Sequence, residues 1–459
     1  MRADRVGQRR GHGATRRGRW GAALLASAVM VVAAGCGSDG GGAGGDTSQP
    51  PASDLGLPDL SGQTIEVAAI WSGEEQANFQ KVLDDFSART GAQTSYVPTG
   101  DNVSTFLGTR VEGGQPPDVA FLPQVGVLQQ FAESGWLQPV SADVQEALDA
   151  NYGTGWKELG AWEGEQYGVY FKAANKSTLW YSPTVFEQAG VTPPTTWEEF
   201  LTAAQTISDS GTPPLAVGGA DGWVLTDLFE NVYLSQAGPE MYDRLAAHEI
   251  PWTDPSVTEA LETLGELFGN DTLLAGGAQG ALQTDFPTSV TQTFSDPPGA
   301  GMVYEGDFVA GVIASDTEAV VGEDAQVFPF PAVGDTPPVV TAGDVAVAMT
   351  EGEAAQALLT YLASPDAARI WAGAGGFLSP NRSLEMEAYA DETTRTIAQA
   401  LIDAGDDFRF DMSDQAPAAF GGTKGQGEWK DLQDFLANPS DVAGAQAALE
   451  EHAAEAYGG

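Results

Sequence analysis

The sequence is poor in the residues on which disulfides, most metal sites and nucleic-acid interfaces depend. Its 459 residues include one Cys, three His and 20 Lys and Arg, against 64 Asp and Glu. A single cysteine excludes a disulfide within the chain. The shortage of positive charge excludes a surface that neutralises nucleic-acid phosphates, and it disfavours a phosphorylated ligand. We therefore predict no nucleic-acid partner and no cofactor.

Catalytic signatures are also missing. His12 lies in the N-terminal region, and neither His248 nor His452 has a Ser or Cys partner at a motif spacing. The metalloprotease, phosphate-loop and nucleophile-elbow patterns do not occur. The abundant carboxylates leave a glycosidase-like pair and a calcium site open as alternatives. The pattern as a whole favours a protein that is not an enzyme, with no metal among its predicted ligands.

Long hydrophobic runs are absent outside the N-terminus. Seven Arg within residues 1–19 precede the apolar run Ala22–Val32, which is too short for a comfortable membrane span, and Ala33-Ala34-Gly35-Cys36 follows. This pattern resembles a bacterial lipoprotein signal, whose cysteine becomes the lipidated first residue of the mature chain. We predict a signal peptide over residues 1–35 and anchoring through Cys36 to the outer face of the cell membrane. An ordinary secretory signal with an incidental cysteine is the alternative.

Residues 36–63 predict a flexible tether, because they are dense in Gly, Ser, Asp and Pro and have no apolar periodicity. The folded region then begins near Thr64 and spans about 395 residues, which is too long for one core and natural for two lobes. Without residues 1–35 the chain has 13 basic and 63 acidic residues, a formal charge of −50. We interpret this charge as a source of solubility for a secreted protein.

The folded region opens with alternating strand and helix patterns. Gln63–Ile70 is alternating and β-branched and predicts a first strand, and Ser72 with Glu75 has the spacing of a helix capping box. Thr94–Val97 and the apolar Val119–Leu122 predict the next two strands. Strands separated by helices indicate an α/β fold with a parallel sheet.

The stretch Tyr167–Phe200 has the pattern of a domain junction. A short strand, Gly168–Phe171, is followed by two helix starts, Ser182-Pro183 and the capping box of Thr196 and Glu199. A second strand pattern at Val339–Met349 predicts the return of the chain. We therefore expect a hinge beside a ligand cleft.

Several runs resemble extracellular solute-binding proteins of ATP-binding-cassette (ABC) importers, in the carbohydrate class that includes maltose-binding protein. The runs that match this class are Gly113–Val140, Leu179–Tyr181 and Thr196–Glu199. Further runs resemble the branch that binds α-glucosides such as maltose, sucrose or trehalose, and they are Asp221–Val257, Gly306–Ala310, Phe328–Val333 and Gly343–Ala346. The resemblance covers nearly all of Thr64–Tyr457.

The resemblance implies a two-lobed α/β fold of the periplasmic-binding-protein type (type II), with the ligand cleft between the lobes. Residues 64–171 and 345–377 would form lobe 1, and residues 172–342 and 380–459 would form lobe 2. The implied function is capture of an oligosaccharide by a monomer and delivery to the permease subunits of an ABC importer. A surface-attached glycoside hydrolase and a binding protein for another polyol-type solute are the alternatives.

A sugar offers hydroxyls that donate and accept hydrogen bonds, and flat C–H faces that stack on aromatic rings. In doubly wound sheets the residues that bind a ligand lie at the C-terminal ends of strands. This rule and the matching family positions predict ten ligand-binding residues. They are Trp71, Glu75, Asp101, Gln124, Lys172, Trp223, Asp227, Asp307, Gly343 and Asp344.

Some of these residues have a structural alternative. Glu75 could act only in its capping box, Asp101 could cap a helix, and Lys172 could form a salt bridge at the hinge. Three other aromatic residues lie on apolar faces of strands or helices and are predicted to belong to the core. They are Trp180, Trp197 and Trp371.

Overall fold

The computed structural model describes residues 55–100, 102–404 and 408–458. The strands in these ranges are β1 (Thr64–Ala69), β2 (Gln93–Pro98), β3 (Val119–Leu122), β4 (Ala161–Trp162), β5 (Glu165–Gln166), β6 (Gly168–Asn175), β7 (Thr178–Tyr181), β8 (Leu215–Ala216), β9 (Met302–Tyr304), β10 (Gln326–Pro329), β11 (Val340–Ala348) and β12 (Arg409–Phe410). The helices are α1 (Gly73–Thr90), α2 (Val103–Glu112), α3 (Val125–Glu133), α4 (Ala142–Asn151), α5 (Thr154–Leu159), α6 (Pro183–Ala189), α7 (Trp197–Asp209), α8 (Trp223–Ala237), α9 (Pro239–Ala246), α10 (Pro255–Phe268), α11 (Gly277–Ala281), α12 (Phe286–Phe294), α13 (Val309–Asp316), α14 (Glu353–Leu362), α15 (Pro365–Ala372), α16 (Glu392–Asp403), α17 (Met412–Gln415), α18 (Ala418–Gly421), α19 (Gly427–Ala437) and α20 (Val442–Ala456). Within the described ranges, no helix combines the length and the apolar character needed to cross a membrane.

The larger sheet has the parallel core that the alternating patterns predict. Its strand order is β12-β11-β3-β1-β2, and β6 also pairs with β11. Strand β1 runs parallel to both β2 and β3. The predicted ends of these three strands are correct to within one residue. Their parallel direction brings the loops that follow β1 and β3 to the same edge of the sheet.

The smaller sheet has the order β10-β7-β9-β8. Only Lys176 and Ser177 separate the end of β6, in the larger sheet, from the start of β7. The chain returns to the larger sheet between β10 and β11. Two adjacent connections therefore join the sheets, one in each direction.

Strands β6 and β11 form an antiparallel pair at this junction, with Lys172 opposite Asp344. A third segment joins them, because the backbone N–H of Ala173 donates to the carbonyl oxygen of Leu378 at 2.9 Å. The strand predicted to end at Phe171 continues to Asn175, so Lys172 lies inside β6 and not after it. The predicted lobe boundaries at residues 171–172 and 342–345 fall within β6 and β11.

The buried hydrophobic residues form two main clusters. Val67 of β1 and Phe121 of β3 are fully buried in the cluster of the larger sheet. Tyr304 of β9 and Leu228 of α8 are buried in the cluster of the smaller sheet. The predicted core residues Trp180, Trp197 and Trp371 are all buried. Trp180 of β7 and Val303 of β9 belong to the cluster of the larger sheet, so the smaller sheet contacts both clusters. Two sheets and two hydrophobic clusters give the two-lobed α/β architecture that the sequence predicts.

The local helix signals hold at one predicted capping box and fail at the other. Thr196 and Glu199 form both reciprocal hydrogen bonds at the start of α7. The prediction for Ser72 and Glu75 is wrong, because the Ser72 side chain makes no capping bond. Glu75 instead accepts a hydrogen bond from Lys172. A buried ammonium group needs a charged partner more than an exposed helix end needs a cap.

Candidate functional site

A cavity with a volume of about 540 Å³ is lined by strands β6 and β11 of the larger sheet, by the segments that follow β1 and β3, and by residues of several helices. The lining comes from the segment after β1, from β6 and β11, from the starts of α8 and α12, and from one face of α13. The lining residues are Ile70, Trp71, Ser72, Gly73, Glu74, Glu75, Pro123, Lys172, Ala174, Lys176, Asp221, Trp223, Asp285, Phe286, Pro287, Phe308, Gly311, Val312, Ser315, Asp316, Ala342, Gly343, Asp344 and Asp414. This volume lies in the range of small-molecule sites.

Lys172 supplies a buried positive charge to the cavity wall. Its side-chain nitrogen donates to Glu75 Oε1 at 2.6 Å. On the neighbouring strand, Asp344 accepts a hydrogen bond of 3.2 Å from Trp71 Nε1. Burial alone would lower the pKa of Lys172, but the charges of Glu75 and Asp344 outweigh it and raise that pKa. The ammonium group is therefore a fixed hydrogen-bond donor at the cavity.

Asp344 is a titrating acceptor beside this donor. Burial raises the pKa of Asp344 to about 6, and the charge of Lys172 limits the rise. Asp344 is therefore ionised above that pH and protonated below it. As an ionised group, it can accept hydrogen bonds from a hydroxyl-rich ligand.

Lys176 forms a second buried charge cluster under the same cavity. Its side-chain nitrogen donates to Asp411 Oδ2 at 2.5 Å and lies 3.1 Å from a carboxylate oxygen of Asp227. Asp414 Oδ2 is 3.8 Å away, and the centroid of a ring of Trp223 is 5.6 Å away. Lys176 thus contacts both Asp414 and Trp223, and all three residues line the cavity.

The protonation of this cluster follows from burial and from the single ammonium group. Burial raises the pKa of Asp227 well above its ordinary value, and Lys176 only partly opposes the rise. Burial also acts to raise the pKa of Asp411, but Lys176 and its hydrogen bond hold that pKa at about 2. Asp411 therefore carries the negative charge that balances Lys176.

A group of three carboxylates in the described part of the chain has the spacing of a metal site. Oxygens of Asp227, Glu230 and Asp411 lie within 4.8 Å of one another. Lys176 already contacts two of these residues. Glu230 accepts hydrogen bonds from the backbone N–H groups of Met412 and Ser413, among others. Lys176 supplies the positive charge here, so the donor set does not fit a metal well.

Three half-buried aromatic rings form one side of the cavity. The ring centroids of Trp223 and Phe286 are 5.4 Å apart, those of Trp223 and Phe308 are 6.0 Å apart, and those of Phe286 and Phe308 are 5.3 Å apart. All three rings line the cavity. They offer the apolar faces on which the C–H groups of a sugar can stack.

Six of the ten predicted ligand residues line the cavity, and they are Trp71, Glu75, Lys172, Trp223, Gly343 and Asp344. Trp71 is 3% exposed and packs edge-on against Trp371, so it presents little more than an edge. Gly343 is required by close packing, because a Cβ atom there would lie 2.7 Å from the carbonyl oxygen of Lys172.

Three predicted ligand residues lie outside the lining, and Asp101 lies outside the described residues. Asp227 is fully buried beside Lys176. Asp307 is 2% exposed and accepts a hydrogen bond of 2.8 Å from the backbone N–H of Asn175. Gln124 is 8% exposed. The residue after β3 that lines the cavity is its neighbour Pro123.

Sequence reasoning missed Lys176, Asp414, Phe286 and Phe308. Lys176 lies four residues after Lys172, and alternation along an extended chain places both on one face. The prediction that the strand ends at Phe171 hid this signal. Phe308 directly follows Asp307, within a run that carries the family resemblance. Phe308 lines the cavity, whereas Asp307 is buried and does not line it.

Two relatives match most of the chain. The α-glucosides-binding periplasmic protein AglE of Rhizobium meliloti is 34% identical over 402 residues, which cover 84% of this chain and 86% of AglE. The osmoprotective compounds-binding protein GgtB of Synechocystis sp. is 33% identical over 380 residues, which cover 81% of this chain and 88% of GgtB.

Solved structures share the fold at lower sequence identity. The bacterial solute receptor AcbH is 22% identical with a TM-score of 0.73, covering 86% of this chain and 99% of its own. The GacH receptor of Streptomyces glaucescens is 18% identical with a TM-score of 0.70, covering 87% of this chain and 99% of its own. The profile of the bacterial extracellular solute-binding proteins matches residues 71–369. With this match and these relatives, the chain belongs to the family of bacterial extracellular solute-binding proteins, as its sequence motifs predict.

Proposed function

We propose that this protein captures an oligosaccharide outside the cell and delivers it to the permease subunits of an ABC importer. The observation that carries the proposal is the pairing of two chemistries in one cavity. Trp223, Phe286 and Phe308 offer apolar ring faces, and Lys172 and Asp344 offer a fixed donor and a charged acceptor. A sugar needs both, because its rings have apolar C–H faces and polar edges.

An α-glucoside such as maltose, trehalose or sucrose is the ligand class that we propose. Its support is the relative from Rhizobium meliloti, which is described as an α-glucoside-binding protein and matches this chain over most of both lengths. A polyol-type osmoprotective solute is the second candidate, supported by the relative from Synechocystis. We propose binding without hydrolysis in either case. An affinity near micromolar, about −8 kcal/mol, would suit an import receptor.

Hinge closure is the mechanism that we propose for capture. Strands β6 and β11 connect the two sheets and carry Lys172 and Asp344 to the cavity. A rotation about these strands would close lobe 1 (64–171 and 345–377) against lobe 2 (172–342 and 380–459). Closure requires that the ligand bind the closed form more tightly than the open form.

A thermal-shift panel of mono-, di- and trisaccharides and polyols against the purified mature protein tests the proposal. We expect an α-glucoside to raise the melting temperature, because a ligand at about 100 times its Kd stabilises by about 2.7 kcal/mol. X-ray scattering should show compaction with that ligand and the mass of a monomer. A chromogenic α-glucoside should release no product. The absence of a shift with every sugar and polyol would contradict the proposal.

We also propose that Cys36 is lipidated and holds the protein on the outer face of the cell membrane. The support is the sequence Ala33-Ala34-Gly35-Cys36 after a basic and apolar leader. We expect Cys36→Ser to move the protein from the membrane fraction to the soluble fraction, because the chain would lose its anchor. The nearby Ser38→Ala variant is the control and should remain in the membrane fraction. Retention of the Cys36→Ser protein in washed membranes would refute lipidation.

A further inference from the structure

Helix α13 forms one wall of the cavity with a single face. Its lining residues recur at the three- and four-residue spacing of one helix side, and they are Gly311, Val312, Ser315 and Asp316. Val309 and Ile313, which lie next to this face, are fully buried in the core. The core therefore fixes the position of the helix, and the lining face is free to meet a ligand.

The lining face of α13 runs from the inner part of the cavity to its rim. Phe308, Gly311 and Val312 are half-buried, and Ser315 and Asp316 are exposed. Gly311 thus lies between the aromatic ring of Phe308 and the polar groups of the last turn. A ligand that extends outward from Phe308 along this helix passes Gly311.

Neither close packing nor backbone conformation requires a glycine at position 311. A Cβ atom built on Gly311 has no atom within 4 Å, and its backbone has no positive φ. Glycine inside a helix is less favourable than alanine. No local geometry therefore explains the glycine, and the absent side chain enlarges the cavity.

We propose that Gly311 is a specificity-determining residue, whose missing side chain provides the space for the second unit of a glycoside. This inference rests on the proposed sugar-binding function and narrows it to glycosides of two or more units. The first unit lies against the aromatic rings, and the second passes over Gly311 toward Ser315 and Asp316. Their hydroxyl and carboxylate groups can then hydrogen-bond to the outer unit.

Calorimetry with glucose, maltose, trehalose, sucrose and maltotriose tests this role on the mature wild-type protein and on Gly311→Leu. We expect the wild type to bind at least one di- or trisaccharide more than tenfold tighter than glucose. Gly311→Leu should weaken that ligand at least 30-fold and leave the weak binding of glucose unchanged. Gly311→Ala should have an intermediate effect.

Melting temperatures and a control variant distinguish an affinity lost because the cavity is smaller from an affinity lost because the protein is unfolded. Replacing a helix glycine at an unstrained position should keep or raise the melting temperature. Gly155→Leu is the matched control, because Gly155 is an exposed residue of α5, has open space around its Cβ position and does not line the cavity. It should leave all affinities unchanged. If Gly311→Leu is unstable, the affinities of Gly311→Ala test the inference instead.

Three results would overturn the inference and leave the proposed function intact. They are equal binding of the best disaccharide by wild type and Gly311→Leu, an equal loss of glucose and disaccharide binding in that variant, and glucose binding by the wild type as tight as that of any larger sugar. If none of these probes binds the wild type, this inference fails, and the proposed function fails with it when the thermal-shift panel of sugars and polyols also shows no ligand.

Discussion

Replacement of Lys176 by methionine is expected to destabilise the folded protein by about 3–5 kcal/mol at neutral pH, because it leaves the buried carboxylate of Asp411 without its cation. Lys176 is 8% exposed and contacts Asp411 and Asp227, both fully buried. Urea unfolding measures the loss. Lys157→Met is the control, since Lys157 pairs with the exposed Asp149, and an ion pair at the surface contributes little to stability.

The effect of this substitution should decrease as the pH falls from 7 to 4. In the wild type, Lys176 keeps the pKa of Asp411 at about 2, below the ordinary 3.8. That stabilisation is fully present above pH 3.8 and is lost as the pH falls toward 2. Without Lys176, burial raises the pKa of Asp411, so the folded variant takes up a proton at higher pH and recovers stability on acidification.

Removal of the orphaned charge provides a second check on this explanation. The double variant Lys176→Met/Asp411→Asn should be more stable at neutral pH than Lys176→Met alone. A loss for Lys176→Met no larger than that for Lys157→Met would contradict the explanation. So would a loss that does not change between pH 7 and pH 4.

Truncation of Trp223 to alanine is expected to weaken binding of the proposed α-glucoside about 30-fold or more. Trp223 is a half-buried ring that contacts Phe286 and Phe308 at the cavity. Removal of a central aromatic anchor typically costs about 2 kcal/mol or more, and 1.4 kcal/mol corresponds to a tenfold change in Kd. Titration calorimetry with the best ligand of the sugar panel measures the change.

Two further variants show whether the ring face itself is responsible. Trp223→Phe keeps an apolar face and should retain most of the affinity. Trp162→Ala removes a comparably half-buried ring from β4, outside the cavity lining, and should leave the Kd unchanged. An unchanged Kd in Trp223→Ala, or an equal loss in Trp162→Ala, would rule out stacking on Trp223.

The parts of the fold that depend on local signals could be predicted from the sequence. The early strands follow from β-branched or apolar runs, and the start of α7 follows from the box of Thr196 and Glu199. These signals need only neighbouring residues. The capping box predicted at Ser72 fails because Glu75 has a partner 97 residues away, and no local pattern encodes that pairing.

Long-range charge compensation also explains why part of the site was missed. A strand that contains Lys172 and approaches Lys176 looks like the end of a buried element, because an isolated buried charge is unfavourable. The carboxylates that compensate Lys176 include Asp227, 51 residues away, and Asp411, 235 residues away. Only the assembled fold brings them together and allows β6 to continue.

The antiparallel pair of strands β6 and β11 limits how the ligand specificity of this receptor could change. Lys172 and Asp344 line the cavity, and they face each other in the strand pair that connects the two sheets. Gly343 beside them has no room for a side chain. On the proposed hinge mechanism, a substitution here would alter the closure of the lobes as well as the recognition of the ligand. Redesign toward a new sugar should therefore leave this strand pair unchanged. The residues to replace are Trp223, Phe286, Phe308 and those on the lining face of α13.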